Sequence, residues 1–493
     1  MSELKQFRML IDGKLVEAEG GKSFPSLNPA TGEPWATMPE ASAADVDRAV
    51  EAAQRAFEGP WRRTTATERG RYLRKLADLV AANAEALGRI ETTDTGKLFK
   101  ETRWQANYVA DYYQFFAGLA DKISGETLPI DKPDMCVMTF REPLGVVAGI
   151  IPWNSQMFLS ATKIGPALAA GNTIVLKASE MAPAPLLEFG RLVLEAGIPP
   201  GVVNIVTGFS EPCGRALTTH PLVTRIAFTG GDHTARHIVR NSAENLARLS
   251  LELGGKSPVM VFEDADLESA TNGVVSGIFG ASGQTCVAGS RLYLQEKVAD
   301  QVLESLVARA RQIQIGDPLD EATQMGPLAT RGQLSGIETL MEKAKQTNAR
   351  VLHGGKRPTH LNAGWYYEPT ILDCHGQDHA IAETELFGPV LCAFRFKDEA
   401  DAIRQANDTR FGLAAGIFTR DVGRALRISQ ATRAGIVWVN TYRVVSPIAE
   451  FGGMKDSGYG RESGVQAIYD YTCAKTVWIN TSTAPIANPF VMR

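Results

Sequence analysis

Between residues 145 and 262 the sequence repeats one pattern that few folds can satisfy: short apolar runs separated by helical stretches of about 10 to 15 residues. The runs are GVVAGII, NTIVLKA, GVVNIVTG, RIAFTG, LSLELGG and PVMVF. Strands alternating with helices predict βαβ units and a parallel, doubly wound sheet of dinucleotide-binding size. Gly171 and Gly197 stand where the helices before NTIVLKA and GVVNIV must end, positions that favour a residue at ease with positive φ. A second α/β run follows from 265 to 440. Its strands lie near SRLYLQ, VLCAFRF, LAAGIFT and GIVWVN, with helices near 296–312, 331–347 and 421–431. A chain of 493 residues exceeds what one core organises, so two or three domains are expected.

The flanks differ. Residues 7–18 alternate around Asp12-Gly13 and predict a small hairpin. Apolar residues at spacings of three and four predict amphipathic helices over 44–57, 66–87 and 100–120. GETLPIDKPDMCVMTFRE, 125–142, with its two prolines, predicts a projecting hairpin, and TCAKTVWIN, 472–480, a strand without local companions. Two unpaired edges argue for subunit association. A net charge of −4 gives no basic footprint for nucleic acid, and no run reaches the ~20 apolar residues that span a bilayer. With no apolar leader after MSELKQFRMLIDGK, a cytoplasmic chain is expected. Six scattered cysteines fit reduced thiols, and His233/His237 and His375/His379 lack the partners of a zinc site, so no metal is expected.

No G-x-G-x-x-G fingerprint accompanies the βαβ run, and Gly458-Tyr459-Gly460 reads as a loop. Polar and glycine residues nevertheless gather where the strands end: Pro152-Trp153-Asn154, Lys177-Ala178-Ser179-Glu180, Thr207-Gly208 and Thr229-Gly230-Gly231. In open parallel sheets ligands bind at that edge. Gly230 and Gly231 open a helix whose backbone N–H groups suit a pyrophosphate, while Lys177 and Glu180 suit ribose hydroxyls. One cysteine, Cys286, stands among small residues in FGASGQTCVAGSR with no metal partner nearby.

IPWN (151–154), LKASE (176–180), FTGG (228–231), LELGGK (251–256), GQTC (283–286), ELFGP (385–389) and FGGMKDSGYGRE (451–462) resemble, in order, the signature of the NAD(P)-dependent aldehyde dehydrogenase superfamily. The resemblance runs from about Phe7 to Asn480. It implies an α/β fold with a Rossmann-type parallel-sheet cofactor domain (1–122 and 144–254), an α/β catalytic domain (255–455) and a small β oligomerisation element (123–143 and 472–488). By the same resemblance Cys286 is the nucleophile that forms a thiohemiacetal and then a thioester. Asn154 and the Cys286 N–H stabilise the oxyanion, Glu252 activates the hydrolytic water, and Lys163 supports the site. Trp153, Lys177, Ser179, Glu180, Gly208, Gly230, Gly231, Glu385 and Phe387 match cofactor-binding positions. Met157, Phe158, Leu159, Tyr442, Glu450 and Phe451 match a substrate tunnel. The family forms homodimers and homotetramers.

Physical chemistry supplies the reason for such a set. A free thiol is only roughly 3% ionised at pH 7, so Cys286 is expected to gain from its surroundings. A carboxylate at an apolar strand end, as Glu252 is, should have a raised pKa suited to proton abstraction. Glu180 favours NAD over NADP by repelling a 2′-phosphate, although Lys177 leaves dual use open. Ala178 stands where proline is usual in the family, Gly231 where serine is common, and Glu450 where proline is frequent. A mostly apolar tunnel suits aliphatic or aromatic aldehydes, and Glu450 raises a second expectation of a cationic aminoaldehyde. A coenzyme A-acylating or reductive enzyme is the alternative, against which Glu252 argues; a catalytically silent binding protein is the third reading.

Overall fold

The computed structural model describes residues 4–374, 380–486 and 488–491. Five of the apolar runs become parallel neighbours: Val146–Ile150, Thr173–Ala178, Val203–Thr207, Val223–Thr229 and Arg248–Glu252. They are almost wholly buried, as strands covered by helices on both faces must be. The complete sheet has eight strands in the order Gly458–Tyr459, Arg248–Glu252, Val223–Thr229, Val146–Ile150, Thr173–Ala178, Val203–Thr207, Met9–Ile11, Lys14–Val16. The chain enters the parallel set at Val146–Ile150, winds outward to Val203–Thr207, then crosses back to put Val223–Thr229 on the other side. A crevice therefore opens between the ends of Val146–Ile150 and Val223–Thr229, where winding reverses.

Local chemistry fixes the elements around that crevice. Asp12 (φ 51°) and Gly13 (φ 72°) form the turn of the 7–18 hairpin, which closes one sheet edge by pairing Leu10 with Ile205. Ser42 with Asp45, and Thr65 with Glu68, form reciprocal caps for the helices Ala43–Glu58 and Ala66–Ala82. The helix expected over 66–87 is two, Ala66–Ala82 and Ala84–Thr95. Asn83 lies between them and bonds the Leu79 carbonyl through its own amide, 2.8 Å away. Gln156–Ala170 buries every residue except Phe158 and Leu159 and stops at Gly171, φ 93°.

Three further expectations change. PVMVF joins the second sheet, because Pro258–Val261 pairs in parallel with Arg291–Gln295 and Ala414–Phe418. That seven-stranded sheet runs Arg350–His353, Thr370–Asp373, Val390–Phe396, Arg291–Gln295, Pro258–Val261, Ala414–Phe418, Ile436–Val439. Gly458-Tyr459-Gly460 is no loop: Gly458–Tyr459 pairs antiparallel with Leu251 and Glu252, and both glycines have positive φ, 102° and 85°. The strand Thr472–Asn480 is not unpaired either, since its nine residues bond in register to Met135–Pro143 of the same chain. The three-stranded sheet so formed, completed by Thr127–Leu128, keeps two open edges and exposes Phe140, Trp478 and Ile479.

Candidate active site

The sheet crevice is closed on its far side by two loops of the second unit. The helix Leu267–Phe279, capped by the Asp266 side chain at Ser269 N (2.9 Å), delivers the chain into the cysteine loop. Ala281, Ser282 and Gly283 then have φ of 52°, 54° and 74°, a left-handed run that costs L-residues roughly 1–2 kcal/mol each. Packing holds it. Ser282 Oγ donates to Gly326 O (2.8 Å), and Gln284 Oε1 accepts from Ala329 N (2.8 Å). Gly283 has no room for a side chain, because a Cβ there would lie 2.2 Å from Gly388 O of the ELFGP loop.

Between these loops and the sheet lies a cavity of about 350 Å³. Trp153, Asn154 and Leu159 reach it from the end of Val146–Ile150, and Gly230 and Gly231 from the end of Val223–Thr229. Glu252, Cys286, Glu385 and Phe387, which the sequence also pointed to, line it as well. Asn154 Nδ2 is fixed by the Gln284 carbonyl at 3.1 Å, two residues before the thiol. Trp153 meets Phe387 edge to face at 5.3 Å, and Phe387 has φ 51°.

Glu252 is 4% exposed, and its Oε1 is buried with no hydrogen-bond partner among the described residues. Burial foremost, then the Glu462 carboxylate, pushes its pKa well above the usual 4.5, while Lys163 and Arg461 oppose the shift. An unpartnered buried carboxylate costs free energy that a packing role would not require. Cys286 departs from expectation. Burial, reinforced by Glu252 and Glu385, pushes its thiol far above the ordinary 9.0, although the backbone N–H groups of Val287 and Cys286 act the other way. That environment favours the protonated thiol in the free enzyme.

Lys163 does not line the cavity. Its ammonium is fully buried, donates to Thr229 Oγ1 (2.6 Å) and pairs with Glu462, which also accepts from Thr162 Oγ1 (2.8 Å). Glu462 appears in the sequence only as the end of the FGGMKDSGYGRE run; the signal for a partner was a lysine on an otherwise apolar helix. Lys97 was also missed, and its ammonium bonds Ser155 Oγ at 3.0 Å and lies 3.7 Å from Glu91.

Lys177 lies near the end of Thr173–Ala178 and Ser179 and Glu180 follow it, with Lys177 Nζ 3.2 Å from Glu180 Oε2. Gly208 closes the third strand end, where a Cβ would crowd the Ala41 backbone at 3.2 Å. These positions fit a dinucleotide laid across the strand ends. Gly254 has no Cβ to strike the Glu385 carboxyl, which accepts from Gly255 N (3.0 Å) and has its pKa raised to about 7 by burial. One detail changes: Gly230 N–H is taken by Glu252 O (3.1 Å), so the anion-facing donors belong to the first turn of Asp232–Asn241. Asp232 in that turn is neutralised by Arg410 at 2.5 Å.

The tunnel residues separate. Leu159 lines the cavity, and Phe158 lies in a ring ladder, parallel to Tyr108 at 6.4 Å, which is itself stacked on exposed Trp104 at 5.0 Å. Met157 is wholly buried in the first core and forms no wall. Tyr442 is a filler: its ring occupies the space left by Gly277, Gly289 and Gly416, and its hydroxyl donates to Val287 O (2.9 Å). Phe451 is half-buried against the second core, and exposed Glu450 lies over Gly464. His375 and His379 lie outside the described residues; His233 and His237 touch ring to ring at 4.9 Å, and no metal-ligating cluster exists among the described residues.

A parallel-sheet crevice that sets a half-buried thiol and a buried carboxyl in one cavity is an arrangement suited to covalent catalysis by sulfur. The aldehyde dehydrogenase family model matches residues 15–477, and the chain belongs to that family of enzymes, which oxidise aldehydes to carboxylic acids. A relative from Acinetobacter baylyi, named (Z)-2-((N-methylformamido)methylene)-5-hydroxybutyrolactone dehydrogenase, is 55% identical over 99% of this chain and 100% of its own. Rat aldehyde dehydrogenase 1A1 is 42% identical over 97% of this chain and 96% of its own. Among solved structures, the NAD+ complex of a Bacillus cereus aldehyde dehydrogenase superposes with a TM-score of 0.95, 40% identity and 97% coverage of both chains.

Proposed function

We propose that the chain is a hydrolytic, NAD-dependent aldehyde dehydrogenase in which Cys286 is the nucleophile and Glu252 the base. The observation that carries this reading is the Glu252 carboxyl, one oxygen of which is buried without a partner among the described residues, in the cavity that also holds the thiol. The Cys286 thiol gives up its proton to solvent before attack, so that the thiolate is the nucleophile. The sulfur adds to the aldehyde carbon, and Asn154 Nδ2 with the Cys286 N–H receives the developing oxyanion. Glu385 and Phe387 would hold the nicotinamide ribose and ring of NAD, and Lys177 and Glu180 its adenine ribose, and the cofactor would supply the hydride acceptor. Glu252 then takes a proton from water as it attacks the Cys286 thioester, releasing the acid and restoring the thiol. The Lys163–Glu462 pair behind Glu252 tunes that proton transfer electrostatically. Glu180 favours NAD over NADP, with Lys177 leaving room for some NADP use.

The 55%-identical relative supports one substrate class. A 5-hydroxybutyrolactone is the ring-closed isomer of a 4-oxo acid, so the reacting species carries an aldehyde and a carboxylate together. We assign this chain an aldehyde of that type. The exposed Phe140, Trp478 and Ile479 of the three-stranded sheet support homodimers or homotetramers. Free cysteines throughout the described residues, with no helix among them long and apolar enough to cross a membrane, suit the cytoplasm. Nicotinamide absorbance over a panel of aldehydes, with and without coenzyme A, tests the reading. Oxidation independent of coenzyme A is expected; coenzyme A dependence would replace hydrolysis by acyl transfer, and silence across the panel would remove the enzyme assignment.

A further inference from the structure

The loop after Ile436–Val439 carries an arginine that the chemistry above does not use. Arg443 follows Tyr442, whose hydroxyl is bonded to the carbonyl of Val287 beside the nucleophile. Its backbone has φ 63°, and its side chain is half-buried. One guanidinium nitrogen donates to Ser276 O (2.8 Å) and lies where a Cβ on Gly280, six residues before the thiol, would come within 2.1 Å. No carboxylate pairs with it among the described residues. The next residues, Val444 and Ile448, are exposed and apolar, and Tyr108 ties the loop to the ring ladder by donating to Val445 O (2.6 Å). Arg443 is thus a cation with no paired carboxylate among the described residues, set against the start of the cysteine loop and flanked by exposed apolar residues. Glu450, expected to attract a cationic aldehyde, is turned instead over Gly464.

We propose that Arg443 is the specificity-determining residue that receives the substrate carboxylate. The inference rests on the oxo-acid reading and supplies the group that reads the second functional end of such a molecule. A guanidinium suits this task because it stays charged and offers several donors in a plane, only one of which is taken by Ser276 O. The charged open form is the one selected. Ring opening breaks the bond between the ring oxygen and the hydroxyl-bearing carbon, which leaves an aldehyde at that carbon, a carboxylate at the other end, and a released proton. Atoms balance, since the two forms are isomers apart from ionisation, and only the open form presents a carbonyl to Cys286.

The test compares 4-oxobutanoate with its methyl ester, which has the same aldehyde and no charge, in the full-length enzyme and in Arg443→Gln and Arg443→Lys. The ratio of kcat/KM for acid over ester should fall about 10- to 100-fold in Arg443→Gln, mainly through KM, and recover in part in Arg443→Lys. If Arg443 only caps the helix Leu267–Phe279, both substrates lose activity together, thermal stability drops and the ratio stays constant; that result overturns the proposal. A wild-type enzyme that oxidises the ester but shows no preference for the acid overturns it too, and leaves the aldehyde dehydrogenase reading intact. If neither compound nor any simple aldehyde is oxidised, the parent reading fails and the inference with it.

Discussion

Replacing Glu252 by glutamine keeps the size and shape of the side chain and removes only its ability to take a proton. General-base catalysis contributes about 10²–10⁴-fold, roughly 3–5 kcal/mol of barrier, so steady-state turnover of Glu252→Gln should fall by that factor. Hydride transfer precedes the step that needs the base. Stopped-flow mixing at saturating aldehyde should therefore give a burst of one NADH per active site, followed by an almost flat trace. The pH dependence of stability provides a second readout. The folded-state pKa of Glu252 is raised above 4.5 by burial, so its contribution is fully present below about pH 4.5 and is lost as pH rises through the folded value. The Tm of the variant minus that of the wild type should thus grow as pH rises from 4.5. Equal slowing of burst and steady state, or turnover at the wild-type rate, would refute the assignment of the base.

Three other outcomes are expected. Because burial and two carboxylates raise the Cys286 thiol, its alkylation by iodoacetamide in the free enzyme should still be accelerating as pH passes 9.0, and bound NAD should speed it at neutral pH; a plateau below pH 8 would contradict the thiol's environment. Asn154→Ala removes one oxyanion donor and should lower kcat by about 10²–10³ with little change in the thermal midpoint. Gly254→Ala forces a Cβ into the Glu385 carboxyl, which lies 1.8 Å from that point, so the KM for NAD should rise by roughly 10-fold or more while aldehyde KM changes less; calorimetric titration with NAD checks it.

Much of the molecule was legible because its rules are local. Apolar runs became buried parallel strands, Gly171 and Gly197 took positive φ, and ordered motifs such as GQTC and ELFGP pointed to the family that the comparisons also give. What escaped was pairing over distance. Nothing near residue 163 says that its charge is met by Glu462, 299 positions away, and nothing near Thr472–Asn480 names Met135–Pro143 as its partner. Tyr442 was read as tunnel wall because the family resemblance put its loop there, whereas three facing glycines had made a slot for its ring. The thiol was expected to be activated by the protein; a cavity lined by Glu252 and Glu385 has the opposite field, and only three-dimensional proximity reveals it.

The edge strand Gly458–Tyr459, which closes the first sheet beside Glu252, is synthesised after the whole of the second unit, and Glu462 follows it. On the ribosome, then, the first sheet cannot finish its own boundary until the strands of the second sheet have been made. A prematurely terminated chain would present Lys163 without its counter-ion and Glu252 on an open rim.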